Sequence, residues 1–192
     1  MDLEPPSEVT QALRDYRGGN RRAKSRVFDL VYNELRIVAS RLLQREQRDH
    51  ILTPSVVVHE TAIRLLGDKA LMNAPNRRTL LAAAARIMKE VLVDHARRRL
   101  ADCRGGGWTK VPLDEFPADF DAEDLDVLVV HEALADLARI SERQNQVVTL
   151  RYFGGMTVHE IAAELQVSAV TVERDWRRAR KWLQQRLGSR HG

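Results

Sequence analysis

A short stretch near the end of the chain restricts the fold more than any other part of the sequence. It runs from Thr157 to Trp176 and contains two apolar-patterned segments. Thr157 and Glu160 have the spacing of a capping box that opens the first segment, and Ser168 can cap the second. Ala162 is small, so a second helix can cross close to the first. The pattern predicts two short helices joined by a tight turn, which is the geometry of a helix-turn-helix.

The second of these helices has an inward face and an exposed, mainly cationic face. The predicted inward positions of the helix pair are Ile161, Leu165, Val167, Val172, Trp176 and Ala179. The predicted exposed positions are Thr171, Glu173, Arg174, Arg177 and Arg178. Arginine can read guanine, glutamate can accept a hydrogen bond from cytosine, and further cations bind phosphate. We therefore expect DNA binding in the major groove; the alternative is a helical hairpin with a solvated charged face.

One position departs from the usual helix-turn-helix pattern. The turn commonly carries glycine where this chain has Gln166. A left-handed backbone at that position would be modestly strained.

The rest of the chain is patterned for helices as well. Val31, Leu35, Val38 and Leu42 form one apolar stripe at helical spacing, and Thr53–Pro54 has the pattern of a helix start. Four helices are predicted between about residues 7 and 99, and four more between about 125 and 187. No alternation typical of strands reaches a useful length, so the predicted fold class is all-α.

An acidic segment divides the chain into two predicted helical domains. Arg104–Gly107 breaks the helical pattern, and between Asp114 and Asp126 there are seven acidic residues and no Lys or Arg. We predict an N-terminal domain over residues 1–102, a linker over 103–124 and a C-terminal domain over 125–192. The loop over residues 67–76 is expected to lie ahead of the last helix of the first domain.

Composition and charge limit the compartment and the partners. Cys103 is the single cysteine, which rules out a disulfide framework or a thiolate metal cluster. The acidic N-terminus does not resemble a signal peptide, and no stretch approaches the roughly 20 apolar residues needed to cross a bilayer. We expect a cytoplasmic protein without membrane insertion. The formal charge of +4 suggests a polyanionic partner.

The sequence gives no sign of an enzyme. Three His-Glu pairs, at His59, His131 and His159, lack the second histidine that a zinc protease helix needs. The glycines of Arg104–Gly107 lack the lysine and the preceding strand of a phosphate-binding loop. We therefore expect no catalytic residues, no metal site and no cofactor.

Several runs, taken in order, resemble a known family. They are Tyr32–Arg36 (YNELR), Val58–Leu65 (VHETAIRL), Val93–Arg99 (VDHARRR), Ser141–Gln144 (SERQ) and Leu150–Thr157 (LRYFGGMT). Together with the helix-turn-helix they are similar to bacterial RNA polymerase sigma factors of the extracytoplasmic-function (ECF) group of the sigma-70 family. The resemblance spans about Val9 to Leu187. It implies a protein that binds core RNA polymerase and directs promoter recognition.

The resemblance also implies a role for each group of residues. The polymerase β′ clamp would be bound by Glu34, His59, Glu60 and Arg64. The −10 promoter element would be bound by Asn73, Asn76, Arg77, Arg86, Lys89, Arg97 and Arg98. The −35 element would be bound by Ser168, Thr171, Glu173, Arg174, Arg177 and Arg178. The polymerase β subunit, promoter DNA and an anti-sigma factor are the partners that such a protein can have, and the linker would thread through the polymerase.

Two other functions are compatible with parts of the sequence. A stand-alone helix-turn-helix regulator, with an N-terminal dimerisation or sensing module, would share the same DNA-binding helix and should bind paired half-sites without polymerase. A pure protein-interaction module is disfavoured by the basic stretch Arg174–Arg190, because that charge has no use away from nucleic acid.

Overall fold

The computed structural model describes residues 7–43, 52–67, 70–102 and 127–188. In these ranges the chain forms nine α-helices and no strand, which confirms the predicted all-α class. The helices are α1 (Glu8–Arg17), α2 (Ala23–Leu43), α3 (Pro54–Gly67), α4 (Ala70–Asn73), α5 (Arg77–Asp102), α6 (Val127–Ile140), α7 (Glu142–Tyr152), α8 (Val158–Leu165) and α9 (Ala169–Gly188). The predicted linker over 103–124 lies outside the described residues.

Side-chain caps set the starts of α1, α3 and α5 in the first half of the chain. The hydroxyl of Ser7 accepts a hydrogen bond from the Thr10 amide at 3.3 Å, ahead of α1. The hydroxyl of Thr53 caps α3 in the same way, by accepting a hydrogen bond from the backbone amide three residues later. Helix α3 begins at Pro54, as the sequence predicts. Asn76 caps α5, since its Oδ1 accepts from the Thr79 amide at 3.0 Å.

The stretch predicted as a loop over residues 67–76 contains one turn of helix, α4. Leu71 in this turn is 1% exposed, and Ala74 just after it is also buried. Burial of these two apolar side chains stabilises α4 through tertiary packing, because a helix this short is not stable in isolation. The prediction of a loop over this whole stretch was wrong for residues 70–73.

The helices of the first half pack around one apolar centre. Helix α2 contacts α1 and α3, and α3 also contacts α5. The stripe predicted on α2 faces this centre, because Val31, Leu35, Val38 and Leu42 are all buried. Burying a side chain of this kind contributes about 1.5–3 kcal/mol.

The second half packs α7 against α6 and α9, and α8 against α9. Its largest buried side chains include Leu134, Leu137, Leu150, Phe153 and Ile161. Helix α5 also contacts α6, α7 and α8, so the two predicted domains lie against each other and their buried side chains form one continuous cluster. Among the helices described here, none is long and apolar enough to cross a membrane.

Candidate nucleic-acid interface

Helices α8 and α9 form the helix pair that the sequence predicts, joined by residues 166–168. At the start of α8, the Thr157 hydroxyl accepts from the Glu160 amide at 3.2 Å, and the Glu160 carboxylate accepts from the Thr157 amide at 2.9 Å. These reciprocal bonds complete the predicted capping box. Ser168 caps α9 by accepting from the Thr171 amide at 3.1 Å. Each helix of the pair therefore begins at a side-chain cap, and the cap at Ser168 lies in the turn itself.

The turn between the two helices has a left-handed residue at the predicted position. Gln166 has φ 56° and ψ 43°, and the Val167 amide donates to the Ala162 carbonyl oxygen at 2.9 Å. The left-handed geometry closes the end of α8, because it lets the backbone amides after the helix reach its last carbonyls. Glutamine has a Cβ, so this closure carries backbone strain that glycine would avoid.

A buried carboxylate, paired with an exposed arginine, fixes the rotation of α9 about its own axis. Val172, Ala179 and Leu183 lie on its buried side, as does Asp175, which is only 1% exposed. The Asp175 carboxylate accepts a hydrogen bond from Arg143 of α7. A carboxylate buried this deeply is costly without a partner. The pair therefore favours the orientation that turns the opposite face of α9 to solvent.

A cation–π contact supports the same helix from α7. The guanidinium of Arg151 lies 4.4 Å from the ring centroid of Trp176. Burial lowers the pKa of Arg151 from its ordinary value, and the nearby charge of Glu173 opposes this shift. The Trp176 side chain is half-buried, so it joins the core to the edge of the exposed face.

The exposed face of α9 carries most of the residues predicted to contact the −35 element. Ser168, Glu173, Arg174, Arg177 and Arg178 are exposed, and Thr171 is half-buried. Val170, in the first turn of α9, is 71% exposed. A face with three arginines and an exposed apolar side chain near its N-terminus can offer cations to phosphate and both polar and apolar contacts to base edges.

The residues predicted to contact the −10 element are spread over α4 and α5 and differ in exposure. Asn73, Arg86, Arg97 and Arg98 are exposed, whereas Asn76, Arg77 and Lys89 are half-buried. Asn76 is occupied by its role as the cap of α5. Among the predicted −10 contacts of α5, the exposed cations are therefore the three arginines Arg86, Arg97 and Arg98.

Arg77 lies at the centre of an ionic cluster that joins three helices. Its Nη1 donates to Glu160 of α8 at 2.8 Å, and its Nε donates to Glu34 of α2 at 3.3 Å. A second bond from Nη2 makes the pair with Glu34 bidentate. Burial alone would raise the pKa of Glu160, but hydrogen bonds from Thr157 and Arg77 and the charge of Arg77 lower it overall.

Lys89 is the second predicted DNA contact that neighbouring helices cover. Burial lowers the pKa of Lys89, and the negative charges of Glu90 and Glu142 partly oppose this shift. Burial also lowers the pKa of His131 on α6, with further lowering by the charges of Lys89 and Arg97. Helices α6 and α7 thus contribute charged or titratable groups to this part of α5.

Two cross-helix pairs hold the residues predicted to bind polymerase on α3. Arg64 donates to Asp94 of α5 at 2.8 Å, and Glu60 lies 3.0 Å from Nε2 of His95. His59 is exposed and lies near the rings of Phe28 and Tyr32, with centroids 6.4 and 6.1 Å away. In the sequence, Ile63 lies between Glu60 and Arg64, and its side chain is 70% exposed. The four predicted residues do not form one cluster, since Glu34 belongs to the cluster around Arg77.

Comparison with known protein families gives the classification. A family model described as ECF sigma factor matches residues 6–189, which is nearly the whole chain. The chain belongs to the ECF sigma factor family. This confirms the resemblance, gives the protein a role in transcription initiation, and assigns it to a family that is not a class of enzymes. Comparison with curated proteins finds no match.

Sequence reasoning missed several residues that shape the interface of this sigma factor. Asp175 is the clearest case, because the sequence pattern assigned it to neither the inward nor the exposed face of the second helix. Its spacing, three residues after Val172 and four before Ala179, was the signal that it faces inward. Val170 and Glu164 were also missed; the first is an exposed apolar residue, and the second binds Arg78 at 3.3 Å across the two halves of the chain.

Proposed function

We propose that this sigma factor binds core RNA polymerase through α2 and α3, and reads the −35 and −10 promoter elements through α9 and α5. The observation that carries the proposal is the exposed arginine face of α9, held outward by the pairing of the buried Asp175 with Arg143. A recognition helix must present its N-terminal residues to base edges in a fixed orientation. The core contacts of α9 supply that orientation.

The contacts of α9 divide into base and phosphate contacts by position. Arg174 lies in the second turn and is exposed, so it can reach into the major groove and read guanine. Val170 is exposed one turn earlier, where an apolar side chain can contact a thymine methyl group. Arg177 and Arg178 follow and supply cations for phosphate, which position the helix without reading sequence.

The surface of α5 supports binding of the −10 element mainly through phosphate contacts. Arg86, Arg97 and Arg98 are exposed along this helix. Cations spaced along one helix suit the backbone of a single strand, whose affinity then depends strongly on salt. Arg77 and Lys89 would join this surface only when the contacts that cover them are released.

The surface of α3 supports binding of a partner helix from the polymerase β′ clamp. Ile63 is exposed and lies between Glu60 and Arg64 in sequence, so an apolar side chain is flanked by charged ones. An apolar contact rimmed by polar groups is typical of a helix-binding interface. The pairs of Glu60 and Arg64 with α5 would set the positions of these rim groups.

The first experiment is co-migration of the purified full chain with bacterial core RNA polymerase on a sizing column. Stable co-migration, followed by transcription that depends on this chain from fragments of the source genome, would support the proposal. A chain that stays apart from polymerase and binds duplex DNA as a homodimer would contradict it and favour a stand-alone regulator.

A matched pair of variants assigns the polymerase surface. Ile63→Asp places a charge in the proposed interface, and we expect it to weaken co-migration by tenfold or more, since burying an unpaired charge is costly. Ile140→Asp is the control, because Ile140 is an isoleucine of similar exposure, 64%, at the end of α6. Equal affinity of both variants for polymerase would refute the assignment to α3.

A further inference from the structure

The turn between α1 and α2 concentrates positive charge without a single acid. Residues 17–26, which we call the basic turn, contain five Lys or Arg among ten residues and no Asp or Glu. The five cations are Arg17, Arg21, Arg22, Lys24 and Arg26, and all except the half-buried Lys24 are exposed. None of them forms an ion pair with another residue of the described ranges. The charge of the basic turn therefore faces solvent without compensation from the described part of the chain.

Hydrogen bonds hold the backbone of the basic turn in one conformation. Gly19 has φ 97°, a region of backbone space that glycine adopts freely. The side-chain Oδ1 of Asn20 accepts a hydrogen bond from the Arg22 amide at 3.1 Å, and the Asn20 carbonyl accepts one from the Ala23 amide at 3.0 Å. A backbone that is ordered in advance presents its cations to a partner at a lower entropic cost.

Four of the five cations do not stabilise the helix that they begin. Arg21 and Arg22 directly precede α2, whose first turn contains no acid. Lys24 and Arg26 lie in that first turn, where the partial positive charge of the helix end makes a cation unfavourable. Arg17 differs, because it ends α1, where a cation is favourable. A local arrangement that opposes folding is typical of a functional site.

The basic turn lies beside the segment that leads into α5. The Nη2 of Arg17 donates to the carbonyl oxygen of Pro75 at 3.4 Å. Helix α1 also contacts α4, and the hydroxyl oxygen of Thr10 accepts a hydrogen bond from the Arg77 amide at 3.3 Å. Pro75 follows Asn73, a predicted −10 contact, by two residues. The basic turn therefore adjoins the N-terminal end of the proposed −10 surface.

The composition of the basic turn favours a polyanion over a protein partner. Residues 17–26 include no large apolar or aromatic side chain. Protein interfaces depend on such side chains as buried anchors at their centre. A nucleic-acid backbone, in contrast, is bound by exposed Lys and Arg side chains without an apolar anchor.

We propose that the basic turn is an additional phosphate-binding surface, which continues the −10 surface past the N-terminal end of α5. It binds the backbone of the melted promoter strand where that strand leaves α5, and it contributes affinity without reading sequence. The inference rests on the proposed function, because the position of the strand is taken from α5.

Two double variants of the full chain test the basic turn. Arg21→Ala with Arg22→Ala removes two exposed cations and keeps the backbone amide that donates to Asn20. Arg36→Ala with Arg139→Ala is the control of equal charge, since both residues are exposed and lie on α2 and α6 outside the proposed DNA-binding surfaces. The first variant should have an unchanged or slightly higher Tm, because cations are unfavourable at the start of α2.

The measurement is the salt dependence of binding to a labelled single-stranded DNA of random sequence. Each phosphate contact on a single strand contributes about 0.7 to the slope of log affinity against log salt, so the loss of two should make the slope shallower by about 1.4. Between about 50 and 200 mM salt, wild type should then lose about sevenfold more affinity than the Arg21 and Arg22 variant. The control should keep the slope of wild type.

A shallower slope without a loss of Tm, absent from the control, is the expected result. Equal slopes for wild type and the Arg21 and Arg22 variant, or no binding by wild type at the lowest salt, would overturn the proposal. An equal change in the control would show an effect of net charge alone and would overturn it as well. A change of slope confined to a duplex probe would overturn the assignment to a melted strand.

The polymerase assay separates this inference from the proposed function. If the Arg21 and Arg22 variant loses co-migration with polymerase at an unchanged DNA slope, the basic turn is a protein contact and the proposal is overturned. The DNA assay uses the chain alone. A wild-type chain that stays apart from polymerase would therefore refute the proposed function, while the slope on single-stranded DNA would still test the basic turn.

Discussion

The turn between α8 and α9 offers a stability test that depends on one backbone angle. Gln166 has φ 56° and is the only residue other than glycine with positive φ in the described ranges. Its side chain is exposed, so replacing it disturbs no core packing. Gln166→Gly is therefore expected to stabilise the protein by releasing strain in the backbone.

The magnitude follows from two opposing effects. A left-handed conformation costs an ordinary L-residue roughly 1–2 kcal/mol, which glycine avoids. Glycine has more freedom in the unfolded chain, which costs roughly 0.5–1 kcal/mol. The net stabilisation is about 0.5–1 kcal/mol, which for a chain of this size corresponds to a rise in Tm of about 1–4 °C.

Urea denaturation followed by circular dichroism measures this difference. Gln166→Ala is the matched control, because it removes the same side chain but keeps the Cβ that causes the strain. We expect glycine to exceed alanine by about 1 kcal/mol in free energy of unfolding at an unchanged m-value. A glycine variant no more stable than the alanine variant would refute the argument from strain.

Three further predictions concern the interface and the junction between the two halves. Arg174→Ala should reduce promoter-specific transcription about tenfold or more, through loss of a base contact of about 1–3 kcal/mol, with polymerase binding intact. Gly155→Ala should destabilise the fold by about 1–3 kcal/mol in denaturation, because Gly155 has φ 61° and its Cβ would meet α2. The pKa of Glu160 is lowered in the folded chain from 4.5, so its contribution to stability is full above that pH and is lost as the pH falls below it. Stability measured against pH should therefore fall less steeply on the acid side in Glu160→Gln than in wild type.

Each of these has a control in the same chain. Arg14→Ala on α1 removes another exposed cation and should leave transcription unchanged. Loss of polymerase binding in Arg174→Ala would contradict the division of roles. Gly67→Ala places its Cβ in open space and should change stability little. Equal losses of stability in Gly67→Ala and Gly155→Ala would contradict the packing argument. Parallel curves of stability against pH for wild type and Glu160→Gln would contradict the stabilising role of the Glu160 carboxylate.

The sequence by itself determined eight of the nine described helices and the caps at Thr53, Thr157 and Ser168. Capping residues such as Thr157 and Ser168 act on amides three residues away, and apolar stripes repeat within one helix, so both are local signals. The strained turn at Gln166 was predicted for the same reason. The match of sequence runs to a known family also needed no coordinates.

Only the tertiary structure decided which charged residues are free to bind a partner. Arg77 is 43 residues from Glu34 and 83 from Glu160, and no local pattern links positions so far apart. Asp175 faces inward because Arg143 of a neighbouring helix compensates its charge. The sequence alone does not distinguish a solvated charged residue from a paired one. Their free energies differ because of desolvation and because of the partner that packing brings near.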